Sequence, residues 1–547
     1  YVSNLYKYFK ANPETTTNDD GTVTYATDAD AQGTNSVAIG PNAKTAKYTT
    51  TTTSGDTTTT TETAADHAVA MGDGATVNAA GDKGIALGNG AVTGEAEVTA
   101  AEGTTTTTTD AKGGESSAAI GDSAKANGNQ SVALGANAQV LNPTGTTVST
   151  GSTAIGSGAK VDGGNDSIAL GTSATVNTVS NAMALGSGAT INKTAKESIA
   201  IGKGAVTGGV DKPITLTNGT TGTVAAAGGV DSIAIGNGAV SEGNEALALG
   251  KGAKVTNGAT GGDSAAAIVK TGSAAIGDGA TVANSATSMA LGNGASITEG
   301  ENTTVIGSGA KATQTKQAFV AGYQASADSN ALGSIALGDN ASTHSEHTTA
   351  IGYKAEAHNA DSIAIGSQAV TSDTGGGIAI GSNTSVAQGG IAVGKAANAQ
   401  NISSLAIGNG AAANVNQSIS IGYNAGVGTA EDEKEKNGSL VAIGTSAGNN
   451  VKGMQNVAIG ASAGSAVQSS NNIAIGTNAG YGIKNVTSTT DTNPQNGYNI
   501  SIGSGANYTE GNTNQNPLLL LATLPMRSIV LLLLVRVLQQ KATPVWL

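Results

Sequence analysis

The chain has 547 residues, of which 80 are glycine, 8 proline, none cysteine and only 3% aromatic. A single globular core of that length needs aliphatic and aromatic bulk that this composition lacks, so one large enclosed domain is excluded. The formal net charge of -13 argues against a nucleic-acid partner, whose phosphates want a basic stripe, and its plainest role is to keep a long molecule in solution.

Residues 1–32 form a lead-in segment. Its opening stretch, Tyr1-Val2-Ser3-Asn4-Leu5-Tyr6-Lys7-Tyr8-Phe9-Lys10, lacks the apolar core of a signal peptide. The absence of cysteine suits a protein exported through a bacterial envelope, where chance disulfides interfere. From residue 33 to 506 one phrase recurs about every 14 to 16 residues: a small polar residue, an apolar-Ala-apolar-Gly run, two variable residues and an alanine. The first full copy is Asn35-Ser36-Val37-Ala38-Ile39-Gly40 with Ala43. Others are Ser232-Ile233-Ala234-Ile235-Gly236 with Ala239 and Ser362-Ile363-Ala364-Ile365-Gly366 with Ala369. About 26 such glycines run from Gly40 to Gly503, and only Thr384 replaces the alanine three places on.

Within a copy, Ile233 and Ile235 share one face of a short strand, and Ser232 and Ala234 share the other. Gly236 ends the strand where the chain needs a positive φ or a close backbone approach. A second alternating piece follows, as in Ala159-Lys160-Val161, Ala174-Thr175-Val176 and Ala355-Glu356-Ala357, and its polar middle residue predicts one solvated face. Two short strands and two turns consume the period. The expected fold is all-β: a parallel β-roll solenoid whose coils stack at roughly 4.8 Å into a rod on the order of 120 Å long. The first strand is small or aliphatic on both faces. One face lines the coil, and the other must be covered by something else, most simply a symmetry mate. A charge at Ile365 is therefore expected to disrupt coil stacking or assembly.

Inserts at 48–64, 95–114, 207–230, 256–272 and 428–438 break the period and are expected as loops thrown out from a coil corner. The threonine runs Thr49–Thr61 and Thr104–Thr109 pose β-forming arms against low-complexity disorder, and composition favours disorder. Spacing is most even between Gly338 and Gly422. After Gly422 an Ala-Gly pair replaces Ala-x-Ala, at Ala447-Gly448, Ala463-Gly464 and Ala479-Gly480. Residues 507–547 abandon the repeat. This tail holds both arginines, Arg527 and Arg536, and the single Trp546, and the abrupt change of vocabulary reads as out-of-frame or artefactual. Its longest uncharged apolar run is about ten residues, short of the roughly 20 of a membrane helix.

The phrase at Asn35–Gly40, with its Ser-Ile-Ala-Ile-Gly and Ser-Val-Ala-Leu-Gly variants, resembles the head repeat of the YadA-like trimeric autotransporter adhesins over nearly all of residues 33 to 506. The resemblance implies a homotrimer of left-handed parallel β-rolls, exposed at the outer membrane on a bacterial cell surface and binding host matrix proteins or other cells. It implies a structural role for Ser36, Val37, Ala38, Ile39, Gly40 and Ala43. The same holds for their counterparts Ser232 to Gly236 with Ala239, and Ser362 to Gly366 with Ala369. No ligand-binding residue is implied. The family's neck, heptad-patterned stalk and barrel anchor are not visible here, so membrane anchoring would run through a region absent from this chain.

Chemical motifs are sparse. His344, His347 and His358, with Glu346, include a close pair that could share a metal, and a solvated coil turn is the stronger expectation. Gly202-Lys203-Gly204-Ala205 mimics a phosphate loop but lacks the strand-loop-helix setting. No calcium-binding nonapeptide period and no catalytic carboxylate pair stand out. No catalytic residue, cofactor or metal is expected, and the chain is expected not to be an enzyme. A hexapeptide acyltransferase would repeat its phrase every six residues, and an ice-binding solenoid would place Thr-x-Thr on every coil. A phage tail fibre or receptor-binding spike remains the alternative to an adhesin.

Overall fold

The computed structural model describes residues 29–54, 57–95, 98–102, 105–109, 113–142, 148–209, 212–215, 221–224, 228–256, 271–428, 438–483 and 499–508, with short strands at 15–17, 23–25 and 519–521. Most of the 507–547 tail, including Arg527, Arg536 and Trp546, and the centres of the inserts at 256–272 and 428–438 lie outside the described residues. Among the described residues every regular element is a β-strand. The chain divides into two compact units, Tyr1–Gly309 and Ala310–Leu547, and each contains a parallel β-solenoid.

In the 1–309 unit each coil contributes a first strand of three residues and a second of two or three. Ile233–Ile235 pairs in parallel with Ile199–Ile201 on one side and Leu247–Leu249 on the other, alanine on alanine. Second strands pair in the same way, Lys160–Asp162 with Thr175–Asn177. This register survives the 207–230 insert, because a slip of one residue would turn every isoleucine to the wrong face.

The structure settles which face is which. Ser232 and Ala234 are fully buried, whereas Ile233 and Ile235 are half-buried, their side chains outward. Between two strands so close together small groups dominate, and the interior packs Ala154, Ala159, Val161, Ala169, Ala174 and Val176, with an occasional isoleucine such as Ile191. The polar residue in each phrase also has a role. The buried Ser232 hydroxyl donates to Gly229 O at 2.6 Å, and Ser131 does the same to Gly128 O at 2.6 Å, closing the turn that enters the strand. The residue just before that serine sits in the left-handed region, as at Asp231 (φ 53°) and Gln130 (φ 49°). A second left-handed residue follows two places after each strand glycine, either Gly188 (φ 67°) or a short polar residue such as Ser173 (φ 56°).

The strand glycine meets both conditions expected of it. Gly156 has φ 129°, and a Cβ there would lie 2.6 Å from Gly171 O of the next coil.

The 310–547 unit repeats the pattern. Ile363–Ile365 pairs with Thr349–Ile351 and Ile378–Ile380, with Ala364 fully buried and Ile365 only half-buried. Paired second strands extend to Asn398–Ala399, beyond which Ala412 makes a single bridge to Asn398. From there the Ala-Gly turn has a steric reason: a Cβ on Gly448 would meet Ala442 Cβ at 2.8 Å, and one on Gly464 would meet Ala458 Cβ at 2.8 Å. Leu440, Val451, Val467 and Ile483 fill the space the lost strand vacates. In the same coils asparagine replaces the buried serine. Asn472 Nδ2 donates to Asn456 Oδ1 at 2.9 Å and Asn499 Nδ2 to Asn472 Oδ1 at 2.8 Å, an amide ladder running coil to coil.

The threonine runs Thr49–Thr61 and Thr104–Thr109 differ from the disorder that their composition favours, and the 207–230 insert, expected as a loop, also contains a hairpin. Lys47–Ser54 pairs antiparallel with Thr57–Ala64, Val98–Glu102 with Thr105–Thr109, and Lys212–Thr215 with Thr221–Val224. β-branched threonine suits a strand, and short connections, two residues in the first two hairpins and five in the third, let each hairpin close on itself.

Candidate binding surface

All three copies of the repeat singled out in the sequence lie on the solenoid wall. Ala43, Ser232, Ala234, Ala239, Ser362, Ala364 and Ala369 point inward and are buried. Ile39, Ile233, Ile235, Ile363 and Ile365 are half-buried on the outer side and Val37 is exposed; Ser36 and Ala38, on the inner face, and Gly40, Gly236 and Gly366 are also half-buried. Their roles are therefore of two kinds: the small residues hold the coil together, and the large ones build an outward surface. In the 1–309 unit the outer positions carry Met71, Leu134 and Leu249, and in the 310–547 unit Leu337, Ile380 and Ile502, all exposed; Met71 is 43% and Leu337 42% accessible. Aligned on successive parallel strands, they make apolar columns on one face of each unit.

The histidines assemble differently from the pair suggested by their spacing. His344 does not join His347. It stacks on His358 of the next coil, ring centroids 4.5 Å apart and planes 18° from parallel. His344 Nδ1 lies 2.7 Å from Asp328 Oδ2 and His358 Nδ1 2.8 Å from Asp373 Oδ1, while His347 Nδ1 is 3.6 Å from Asp361 Oδ1. The spacing of one coil in sequence, rather than three residues, is the signal that would have found this stack. Among the described residues no group of three or more His, Asp or Glu side chains is arranged to hold a metal ion.

One carboxylate is electrostatically perturbed. A hydrogen bond from Lys83, 3.0 Å away, holds the Asp82 carboxyl below the ordinary carboxylate range, desolvation opposing it and His67 adding to the shift. Stability from this contact is present above the unfolded-state value and is lost as pH falls through the lowered one, and solvent screening keeps it small.

A family model described as YadA head domain repeat matches residues 28–48, 64–91, 113–138, 149–174, 163–189, 227–253, 329–355, 357–384 and 399–425. No curated protein matches the chain. The matched segments fall on solenoid coils in both units and leave out the interiors of the three hairpins. Coils outside them, such as those carrying Ala274–Ile276, Met289–Leu291 and Thr304–Ile306, share the same strand geometry and register. The matched coils are YadA head domain repeats, recurring in both units, and they support a head region of the YadA-like trimeric autotransporter adhesins.

Proposed function

We propose that this head acts by binding alone, as an adhesin on a bacterial cell surface. It works as a homotrimer and holds host extracellular matrix proteins or other cells through its repetitive exterior. The observation that carries the reading is the outward apolar column on an otherwise polar solenoid. An apolar patch repeated on coil after coil is more than a soluble single chain ordinarily exposes, and a second copy of the same face is the simplest cover. Many weak contacts repeated along the coils and around the trimer then give strength through avidity, with no single deep pocket. Light scattering coupled to gel filtration of the full chain is expected to report three times the monomer mass. A folded monomer would remove the main physical support for the trimer.

The hairpins carry much of the ligand preference in this proposal, because they stand outside the repeat at coil corners. Their bases favour a clean deletion. Ala65 N donates to Ala46 O at 3.0 Å, and excising Lys47–Ala64 leaves a 14-residue interval between Gly40 and Gly72, the ordinary coil length. The variant is expected to keep its oligomeric state and melting temperature while its affinity ranking over a panel of matrix proteins changes. Unchanged binding to every protein in the panel would reject the role of this arm.

A further inference from the structure

One corner of the 310–547 unit changes character from its counterpart in the 1–309 unit. The residue directly after the strand glycine is small or charged throughout the described coils of the 1–309 unit, for example Asn89, Ser187 and Asn237. The next position there is often a bare glycine such as Gly188, Gly238 or Gly252, with nothing within 4 Å of where a Cβ would stand. In the 310–547 unit three coils carry tyrosine at the first of these positions, Tyr323, Tyr353 and Tyr423, exposed to 54%, 47% and 55%, while others keep a small or charged residue such as Asp339, Ser367 or Lys395. The second holds an amide at Gln324, Asn340, Gln368, Asn383 and Asn424, with Lys354, Ala396 and Gly410 on the coils between.

These side chains stand on a rigid column. Second-position residues donate their backbone N–H to a first-position carbonyl one coil earlier: Asn340 to Tyr323 O, Gln368 to Tyr353 O and Asn383 to Ser367 O, each at 2.8 Å. Their left-handed backbone (Gln324 φ 52°, Asn340 φ 54°, Gln368 φ 57°) fixes the direction in which the side chains leave the corner. Tyr323 and Tyr353 are two coils apart, so their rings are spaced by roughly 10 Å at the strand repeat, with the amides filling the steps of about 4.8 Å between. Lys354 Nζ sits 5.3 Å from the Tyr353 ring centroid, and Asp339 lies between the two tyrosines, so the strip carries charges of both signs.

We propose that this corner is a docking track for a neutral, unbranched polysaccharide lying along the stack of coils. Exposed tyrosine faces stack on the C–H faces of sugar rings, and side-chain amides donate to and accept from hydroxyl groups. Tyrosine costs little conformational entropy to place and asparagine adapts its hydrogen bonds, the pairing that recurs in binding surfaces. The other chemistries fit less well. The corner N–H groups of Asn340, Gln368 and Asn383 are already spent on the coil before, so a peptide finds no free edge for strand addition there. An anionic polymer meets mixed charge on a chain of net charge -13.

The proposal places a ligand class on the adhesin reading and depends on it only for the surface being displayed. The test uses the full chain with cellohexaose and chitohexaose as probes, and a collagen-type triple-helical peptide and heparin as counter-probes, measured by calorimetry. At least one neutral hexasaccharide is expected to bind, and the double variant Tyr323→Ala/Tyr353→Ala to weaken it tenfold or more, with melting temperature and triple-helix binding unchanged. Nitration of Tyr323 and Tyr353 by tetranitromethane is expected in the free protein and blocked by the hexasaccharide. No hexasaccharide binding, equal affinity in the double variant, heparin as the sole ligand, or rings inert to nitration in the free protein would each overturn the track. None of these would by itself reject adhesion through the hairpins, which the deletion described above tests separately.

Discussion

Replacing Ala364 with aspartate unfolds the coils around it, whereas the same change at its neighbour Ile365 leaves them folded. Ala364 is fully buried between two β layers, with Ala350 and Ala379 directly above and below in the ladder. A carboxylate there has neither water nor a cation, and an uncompensated buried charge costs on the order of 3 to 5 kcal/mol. Because coils stack only on their neighbours, the damage is local in origin, and far-UV circular dichroism is expected to show a lower-melting transition for the 310–547 unit. Ile365 instead faces outward and half-buried, so a carboxylate at that site stays hydrated in the single chain. Its expected effect is on assembly: Ile365→Asp keeps the β spectrum and shifts the scattering mass from trimer toward monomer. A wild-type melt for Ala364→Asp would reverse the assignment of the inner face. A trimeric Ile365→Asp protein would mean that the outward column is not the interface.

Gly156→Ala is the second large effect. The new methyl would approach Gly171 O to 2.6 Å at φ 129°, a conformation that only glycine adopts freely. Backbone strain of about 1 to 3 kcal/mol adds to a clash with backbone that cannot move without shifting the next coil. Gly188→Ala is the matched control. Its φ is 67° with nothing within 4 Å, so only the left-handed penalty of about 1 to 2 kcal/mol applies. Amide exchange is expected to accelerate sharply around Ile155 and Leu170 in the first variant and only slightly around Leu185 in the second. Equal protection in the two would show that glycine is required for its φ alone and not for the approach between coils.

Much of this architecture was legible in the residues because a repeat multiplies its own evidence. The alternation in Ser232-Ile233-Ala234-Ile235, the glycine closing it and the alanine three places on together require a short-coil parallel solenoid, and pairs such as Ala200 with Ala234 follow once equivalent positions stack. The threonine hairpins were less legible. Thr50 and Thr61 are eleven residues apart in runs of low complexity, where composition speaks for disorder and the antiparallel closure depends on the turn between. The histidine stack was hidden for a related reason: His344 and His358 meet only because one coil separates them, while the nearer His347 turns to Asp361.

The sequence by itself determined the period, the strand and turn content of each coil, the absence of a large aromatic core and the kinship of the repeat. All of these depend on local order and are restated in every copy. Only the tertiary structure decided that the small residues face inward and the isoleucines outward, since alternation marks two faces without saying which is enclosed. It also placed Tyr323 and Tyr353 on one corner, residues thirty positions apart that become neighbours two coils away. The physical reason is that a solenoid converts sequence distance into stacking distance through hydrogen bonds between coils, and that conversion exists only after the chain has closed on itself.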